Sequence, residues 1–141
     1  MHSNDPSPSD TVCVVDDEPS VLTAIGRLLS SVGISVKGFT RAQLFLDYAR
    51  TEKVRVAVID VRMDGLTGLE VQSLLTEISP ATRVIIITGQ PDKSTCAQAF
   101  EAGATAFFRK PFNDHEFIAA VRQALDETTE VSVLNRYSDS D

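Results

Sequence analysis

The sequence has few cysteines, no excess of positive charge and no long apolar run, and each absence excludes a class of protein. Two cysteines, Cys13 and Cys96, are too few for a disulfide scaffold and do not have CxxC spacing. Lys and Arg number 13 against 20 Asp and Glu, and the net charge of -7 argues against binding DNA or an anionic membrane through the overall field. No apolar run approaches the roughly 20 residues that cross a bilayer, and the polar N-terminus is unlike a signal peptide. We therefore expect a cytoplasmic protein that binds neither nucleic acid nor membrane directly.

The chain of 141 residues is long enough for one domain, and its hydrophobic fraction of 43% is sufficient for a core. Residues 1–10 are rich in Ser, Pro and Asp and are predicted to be a disordered lead-in. Residues 127–141 are predicted to be an acidic tail or linker, which is too short for a DNA-binding output domain. The acidic residues of both ends, Asp10 among them, are expected to be solvated. The folded domain is therefore predicted to span residues 11–126.

Five short runs rich in Val and Ile predict strands. They alternate little between apolar and polar residues, which is typical of strands that are covered on both faces. The runs are VCVV (12–15), ISVKGF (34–39), VRVAVI (54–59), RVIIIT (83–88) and ATAFF (104–108).

Amphipathic patterns between and after these runs predict five helices. The first is the clearest, because its apolar residues from Val21 to Val32 recur along one helix face. Thr40 is expected to cap the second helix, and Pro91 is expected in the first turn of the fourth, which ends before Gly103. The apolar stripes of the other helices are predicted at Leu44, Phe45 and Tyr48, at Val71, Leu74, Leu75 and Ile78, and at Phe117, Ile118, Val121 and Leu125.

Strict alternation of five strands and five helices predicts an α/β domain with a doubly wound parallel sheet and helices on both faces. In such sheets the functional residues lie at the carboxyl ends of the strands. The second strand is expected at an edge of the sheet, and no obvious polar group follows it.

Polar residues follow the other four strands. Asp16, Asp17 and Glu18 come after the first strand and Asp60 after the third, while Thr88 and Lys110 come after the fourth and fifth. Three carboxylates at one rim repel one another unless one is protonated or a cation neutralises them, and magnesium prefers such oxygen ligands. A carboxylate is also a competent nucleophile toward phosphorus, and a Lys ammonium and a Thr hydroxyl can bind phosphoryl oxygens. The set therefore predicts a metal-assisted phosphoryl acceptor site.

Each of these residues also has an ordinary structural explanation. The acidic run before Pro19 could charge a helix N-terminus, and this is the better explanation for Glu18. An Asp after a strand is a common turn residue, and a Thr there can cap the next helix. A single Lys is usually a solvated charge. The joint occurrence at four strand ends favours the functional interpretation.

Four segments resemble response-regulator receiver domains of two-component signalling. They are VCVVDDEPS, VIDVRMDGLTGLE, VIIITGQ and GATAFFRKPF, and they occur in order from residue 11 to about residue 126. The resemblance implies a flavodoxin-like sheet of order 2-1-3-4-5. The residues DVRM after the third strand and TGQ-PD after the fourth are similar to receivers of the nitrogen-fixation regulator type.

The resemblance also implies a role for individual residues. Asp60 matches the phosphoacceptor and Lys110 the lysine that contacts the phosphoryl group. Thr88 matches the switch hydroxyl and Phe107 the switch aromatic, and the Lys110-Pro111 bond is expected to be cis. The implied protein ligands of Mg2+ are Asp16, Asp17, Asp60 and the backbone carbonyl of Arg62.

The sequence departs from the family pattern at two positions, and two further positions are ones that vary within the family. Asp64 stands where family members commonly have Pro; it is most simply an exposed turn carboxylate, and the alternative is that its charge alters metal affinity or phosphorylation. Phe107 lacks the hydroxyl of the Tyr often found at its position, so it can act only through packing. Arg62 and Gln90 occupy positions that help to set the lifetime of the acyl phosphate in the family.

The resemblance implies a phosphorylation switch rather than an enzyme with a separate substrate. Its phosphoryl donor would be a histidine kinase or phosphotransfer protein, and its output a downstream protein, an output domain or a phosphorylation-dependent homodimer. The chain is predicted to be a stand-alone receiver or a fragment of a longer regulator. The alternatives are a constitutive protein-binding module and an Asp-nucleophile phosphatase; the phosphatase requires a second Asp where Arg62 stands.

Overall fold

The computed structural model describes residues 10–126, and the predictions for residues 1–9 and 127–141 lie outside this part of the chain. Strands and helices alternate through it. The strands are β1 (Val12–Val15), β2 (Val36–Phe39), β3 (Val56–Asp60), β4 (Arg83–Thr88) and β5 (Ala106–Arg109). The helices are α1 (Pro19–Ser30), α2 (Ala42–Thr51), α3 (Gly68–Ile78), α4 (Lys93–Glu101) and α5 (Asp114–Asp126).

The five strands form one parallel sheet of order β2-β1-β3-β4-β5, which confirms the predicted fold class and order. The strand β2 is at an edge, as expected. At the centre, β1, β3 and β4 are covered on both faces by helices, which explains why their sequences alternate so little. The register sets Asp60 of β3 beside Ile87 of β4, and Thr88 beside Arg109 of β5.

The core consists of two layers, one on each face of the sheet. Successive strand residues point to opposite faces, so Cys13 packs in one layer and Val14 in the other. Side chains of α2, α3 and α4 complete the first layer, and those of α1 and α5 complete the second. The sheet is thus held rigidly between helices, and the loops at the carboxyl ends of its strands carry the polar residues.

Two predicted helix starts were wrong. The N-cap of α2 is Arg41 rather than Thr40, and it makes no side-chain cap hydrogen bond. The N-cap of α4 is Asp92, whose carboxylate accepts the Thr95 backbone N–H at 2.8 Å, so Pro91 precedes the helix instead of lying in its first turn. Aspartate is among the strongest N-cap residues, which accounts for this shift.

The predicted apolar stripes of two helices were partly wrong, and one residue of the predicted lead-in contacts the folded domain. Leu44 and Leu74 are exposed, because each lies beside the buried face of its helix rather than on it. Asp10 remains partly exposed to solvent, but it also forms an ion pair with Arg55 at 2.7 Å, which the sequence did not indicate. Arg55 also donates a hydrogen bond to the carbonyl of Leu125 in the last turn of α5. In residues 10–126 we find no helix that is both apolar enough and long enough to cross a membrane.

Candidate functional site

Backbone hydrogen bonds continue past the strand ends and bring the predicted polar residues to one rim. The N–H of Asp16 donates to the carbonyl of Phe39 at 3.0 Å, and the N–H of Lys110 donates to the carbonyl of Thr88 at 2.8 Å. The extra residue of pairing keeps each loop close to its neighbouring strand. The structure therefore places Asp16, Asp60, Thr88 and Lys110 at adjacent positions along this rim.

Three carboxylates meet at the centre of the rim. One oxygen from each of Asp16, Asp17 and Asp60 lies within 4.8 Å of the other two. Asp16 is fully buried, Asp60 is 3% exposed, and Asp17 is partly exposed at the outer side. Such a set of hard oxygen atoms open to solvent on one side fits a divalent cation that retains several waters.

Lys110 is the cation that faces this cluster. Its Nζ is 3.0 Å from Asp16 Oδ2, 3.4 Å from Asp60 Oδ1 and 3.5 Å from Glu18 Oε1. Burial lowers the pKa of Lys110, but the hydrogen bond to Asp16 and the charge of Asp60 outweigh that effect, so its pKa lies above the usual value. Lys110 is therefore charged, and it neutralises only part of the acidic cluster.

The Asp60 carboxyl is the perturbed acid of the site. Its pKa is raised from 3.8 to about 6, because burial and the nearby charge of Asp16 together outweigh the opposing effects of Lys110 and the Arg62 backbone N–H. Its Oδ1 is buried and accepts no hydrogen bond from any of the described residues, although Lys110 lies within ion-pair distance. A buried oxygen without a hydrogen-bond partner is costly, and a bound cation would satisfy it.

The loop between β3 and α3 is held tightly against the end of β3. The N–H of Gly68 donates to the carbonyl of Val61 at 2.9 Å, and a Cβ at position 68 would meet the Asp60 carbonyl oxygen at 2.4 Å. Gly65 has a positive φ of 87°, which lets the chain turn back. The loop ends in a capping box between Thr67 and Glu70.

Asp64 lies in this loop and is exposed. Its backbone N–H donates to Asp17 Oδ2 at 3.2 Å. Sequence reasoning considered only the carboxylate of Asp64 and missed this bond, since no pattern in the sequence reveals where a loop N–H points. The ion pair between Glu18 and Lys110 was also missed, because Glu18 was assigned only to the start of a helix.

The predicted switch residues Thr88 and Phe107 lie on β4 and β5, and the predicted modulating residues Arg62 and Gln90 lie in the loops that follow β3 and β4. Thr88 is fully buried, and its hydroxyl accepts the Gln90 backbone N–H at 3.2 Å. Phe107 is half-buried beside the core, with its ring 6.5 Å from that of Phe100. Arg62 and Gln90 are exposed and line one cavity of about 420 Å3 together with Asp17. The Lys110-Pro111 peptide bond is cis.

The comparison with protein families gives one match that spans most of the chain. Residues 12–122 match the family described as response regulator receiver domain. The matched segment begins and ends within the described residues and includes every residue of the site.

Curated relatives and solved structures agree with this match. The sequence is 36% identical over 117 residues to the response regulator protein TodT of Pseudomonas putida, covering 83% of this chain and 52% of TodT. It is 38% identical over 119 residues to the transcriptional regulatory protein FixJ of Azorhizobium caulinodans, covering 84% of this chain and 56% of FixJ. The BeF3-activated receiver domain of DrrB is similar at a TM-score of 0.75 and 32% identity, covering 83% of this chain and 97% of that one. The chain thus spans about half the length of the curated relatives.

Proposed function

This chain belongs to the response regulator receiver domain family, and from that premise we propose that Asp60 is the phosphoryl acceptor of its switch. Receiver domains of this family are phosphorylation-dependent signalling switches in two-component systems. The observation that carries the proposal is the buried Asp60 carboxyl, whose pKa is raised and whose Oδ1 lies 3.4 Å from Lys110 but accepts no hydrogen bond from residues 10–126. In the proposed reaction a carboxylate oxygen of Asp60 attacks the phosphorus of a phosphohistidine. The P–N bond breaks, an acyl phosphate forms, and the imidazole leaves with a proton.

Asp16, Asp17 and Asp60 would hold Mg2+, and the backbone carbonyl of Arg62 would complete the protein ligands. Receiver domains bind Mg2+ at an acidic pocket, and the three clustered carboxylates are compatible with it. When bound, the ion supplies charge that offsets the phosphoryl oxygens. Lys110, whose Nζ is 3.4 Å from Asp60 Oδ1, would contribute a second positive charge and orient the incoming group.

The proposed relay runs from Thr88 to Phe107. A phosphoryl oxygen on Asp60 would offer a strong acceptor to the Thr88 hydroxyl, which among residues 10–126 accepts the Gln90 N–H and donates to no group. Movement of Thr88 toward Asp60 would leave space for the half-buried ring of Phe107 to turn inward. The face formed by α4, β5 and α5 would then change shape and bind a partner or a second copy.

Arg62 and Gln90 are proposed to modulate the lifetime of the acyl phosphate. Both line the cavity beside Asp17, so each can control the water that reaches the phosphorus. The proposal predicts that their replacement by Ala changes the dephosphorylation rate and leaves the fold intact.

The wider function is proposed from the family. Response regulator receivers interact with histidine kinases or phosphotransfer proteins and with output domains, and they are generally not enzymes. We extend this to a receiver comprising residues 11–126 that catalyses only its own phosphorylation and dephosphorylation. A cytoplasmic location is part of the proposal, because response regulators typically act there.

A single labelling experiment tests the central claim. The chain is incubated with acetyl phosphate or beryllofluoride and Mg2+, and the adduct is followed by mass or by backbone NMR shifts. The wild type and an Asp47→Asn control, in which an exposed carboxylate of α2 is removed, should form the adduct, and Asp60→Asn should not. Loss of the adduct without Mg2+ is also expected. If beryllofluoride and Mg2+ leave the wild-type spectrum unchanged, the chain is a constitutive binding module rather than a switch.

A further inference from the structure

Asp17 has a different environment from the two other carboxylates of the acidic cluster. Asp16 is held from two sides, by the Glu18 N–H at 2.9 Å and by Lys110 at 3.0 Å, and Asp60 is buried beside Lys110. Among residues 10–126, Asp17 forms no ion pair. Its only side-chain hydrogen bond there comes from the Asp64 N–H, at 3.2 Å from Oδ2.

The position of this N–H is determined by the fold of the loop. Two backbone hydrogen bonds fix the ends of the loop. The Val61 N–H donates to the Ile87 carbonyl at 3.0 Å, and the Gly68 N–H donates to the Val61 carbonyl at 2.9 Å. Between these two points Gly65 turns the chain at a φ of 87°. Asp64 therefore presents its N–H from a constrained backbone, while its own carboxylate is exposed to solvent.

We propose that Asp64 is a positioning residue whose backbone N–H, rather than its carboxylate, orients Asp17 for magnesium binding. The inference rests on the proposed function, because it takes Asp17 to be a metal ligand. A partly exposed carboxylate loses rotamer freedom when it binds a cation, and a ligand that is already oriented loses less. The solvated carboxylate of Asp64 contributes little, since charges in water are strongly screened.

Two substitutions at this position separate the N–H from the charge. Asp64→Ala removes the carboxylate and keeps the N–H, whereas Asp64→Pro removes both, because Pro has no N–H. Magnesium affinity is measured by calorimetric titration at constant ionic strength, on the full chain. We expect Asp64→Pro to bind Mg2+ roughly three- to tenfold more weakly, as for the loss of one typical hydrogen bond in a partly exposed site. Asp64→Ala should stay within about twofold of the wild type.

Either of two results would overturn the inference. An equal loss in Asp64→Ala and Asp64→Pro would assign the effect to the charge, and an unchanged affinity in Asp64→Pro would show that the N–H does not position Asp17. Unfolding midpoints without Mg2+ show whether Pro has also damaged the fold.

A measurement that leaves position 64 intact guards against such damage. The Asp64 amide proton should shift upfield in Asp17→Ala, because its acceptor is gone. The Thr95 amide, which donates to Asp92, serves as the control and should not move. An unmoved Asp64 amide would contradict the inference.

The outcomes also distinguish this inference from the proposed function. Absence of Mg2+ binding by the wild type would end both. Binding and Asp60 adduct formation by the wild type, with equal affinity in Asp64→Pro, would end only the role of Asp64.

Discussion

Asp60 combines burial with a function that requires its charged form. A pKa of about 6 leaves the carboxyl mostly ionised near neutral pH, so the nucleophile is available there and is lost as the pH falls below about 6. The same environment that makes Asp60 reactive makes its ionisation unfavourable in the folded, metal-free protein. Ionised Asp60 is thus available as a nucleophile, but its ionisation lowers the free energy of unfolding.

The cost of this ionisation is measurable as a pH dependence of stability. The unfolded carboxyl releases its proton near pH 3.8 and the folded one near 6, so the protonated form favours the fold and this contribution is lost as the pH rises. At 1.36 kcal/mol per pKa unit the loss is about 3 kcal/mol between about pH 3 and pH 7. We expect the free energy of unfolding of the wild type, in EDTA, to fall by that amount relative to Asp60→Asn, as measured by urea denaturation. The Asp47→Asn control should show no such divergence, and a constant difference between wild type and Asp60→Asn would contradict the prediction.

At the scale of the residue, the sequence showed which polar residues lie at the strand ends, but it did not show which of their atoms contact one another. Because residue type and strand end are both visible in the sequence, it was possible to predict that one rim of the sheet would bring together Asp16, Asp17, Asp60, Thr88 and Lys110. The Asp64 N–H depends on the path of a loop, and no local pattern encodes it. The raised pKa of Asp60 required knowledge of its burial.

At the scale of the element, strands were predicted better than helix starts. All five strands were located, including the partly exposed edge strand β2, but the runs predicted for β2, β3 and β5 each begin two residues before the strand does. Helix starts depend on competing caps, and Asp92 prevailed over Pro91 in α4. The buried Gln72 of α3 donates to the Ala99 carbonyl of α4 at 2.9 Å. The sequence did not predict this hydrogen bond between helices, because a Gln beside an apolar stripe is usually exposed.

The start of α3 offers a test at this scale, because its cap also ends the loop that carries Asp64. Thr67 accepts the Glu70 N–H at 3.2 Å, and Glu70 accepts the Thr67 N–H at 2.8 Å. We expect Thr67→Ala to lower the free energy of unfolding by about 1 kcal/mol, as is usual for loss of an N-cap. Arg41→Ala is the matched control, because Arg41 caps α2 without a side-chain bond and its replacement should have little effect. Equal effects of the two substitutions, by urea denaturation, would show that the capping box does not stabilise α3.

At the scale of the whole molecule, the net charge of -7 is unevenly distributed. Three carboxylates are concentrated at one rim, and Lys110 is shared between two of them. Other acidic groups are paired elsewhere, as Asp10 is with Arg55. General screening of charge and specific neutralisation of the rim should therefore affect stability in different ways.

Magnesium and sodium salts separate these two effects. A ligand that binds only the folded state stabilises it by RT ln(1 + [L]/Kd), which is about 2.7 kcal/mol at a hundredfold excess over Kd. Screening by NaCl changes stability gradually and acts on all exposed charges. We expect MgCl2 to raise the unfolding midpoint of the wild type in a saturable manner and by more than NaCl at equal ionic strength. In Asp17→Asn the excess should largely disappear, because one of the three ligands has lost its charge, whereas the response to NaCl should persist. Identical responses to both salts in the wild type would mean that the acidic rim holds no specific magnesium site, and that its charge influences the protein only through the overall field.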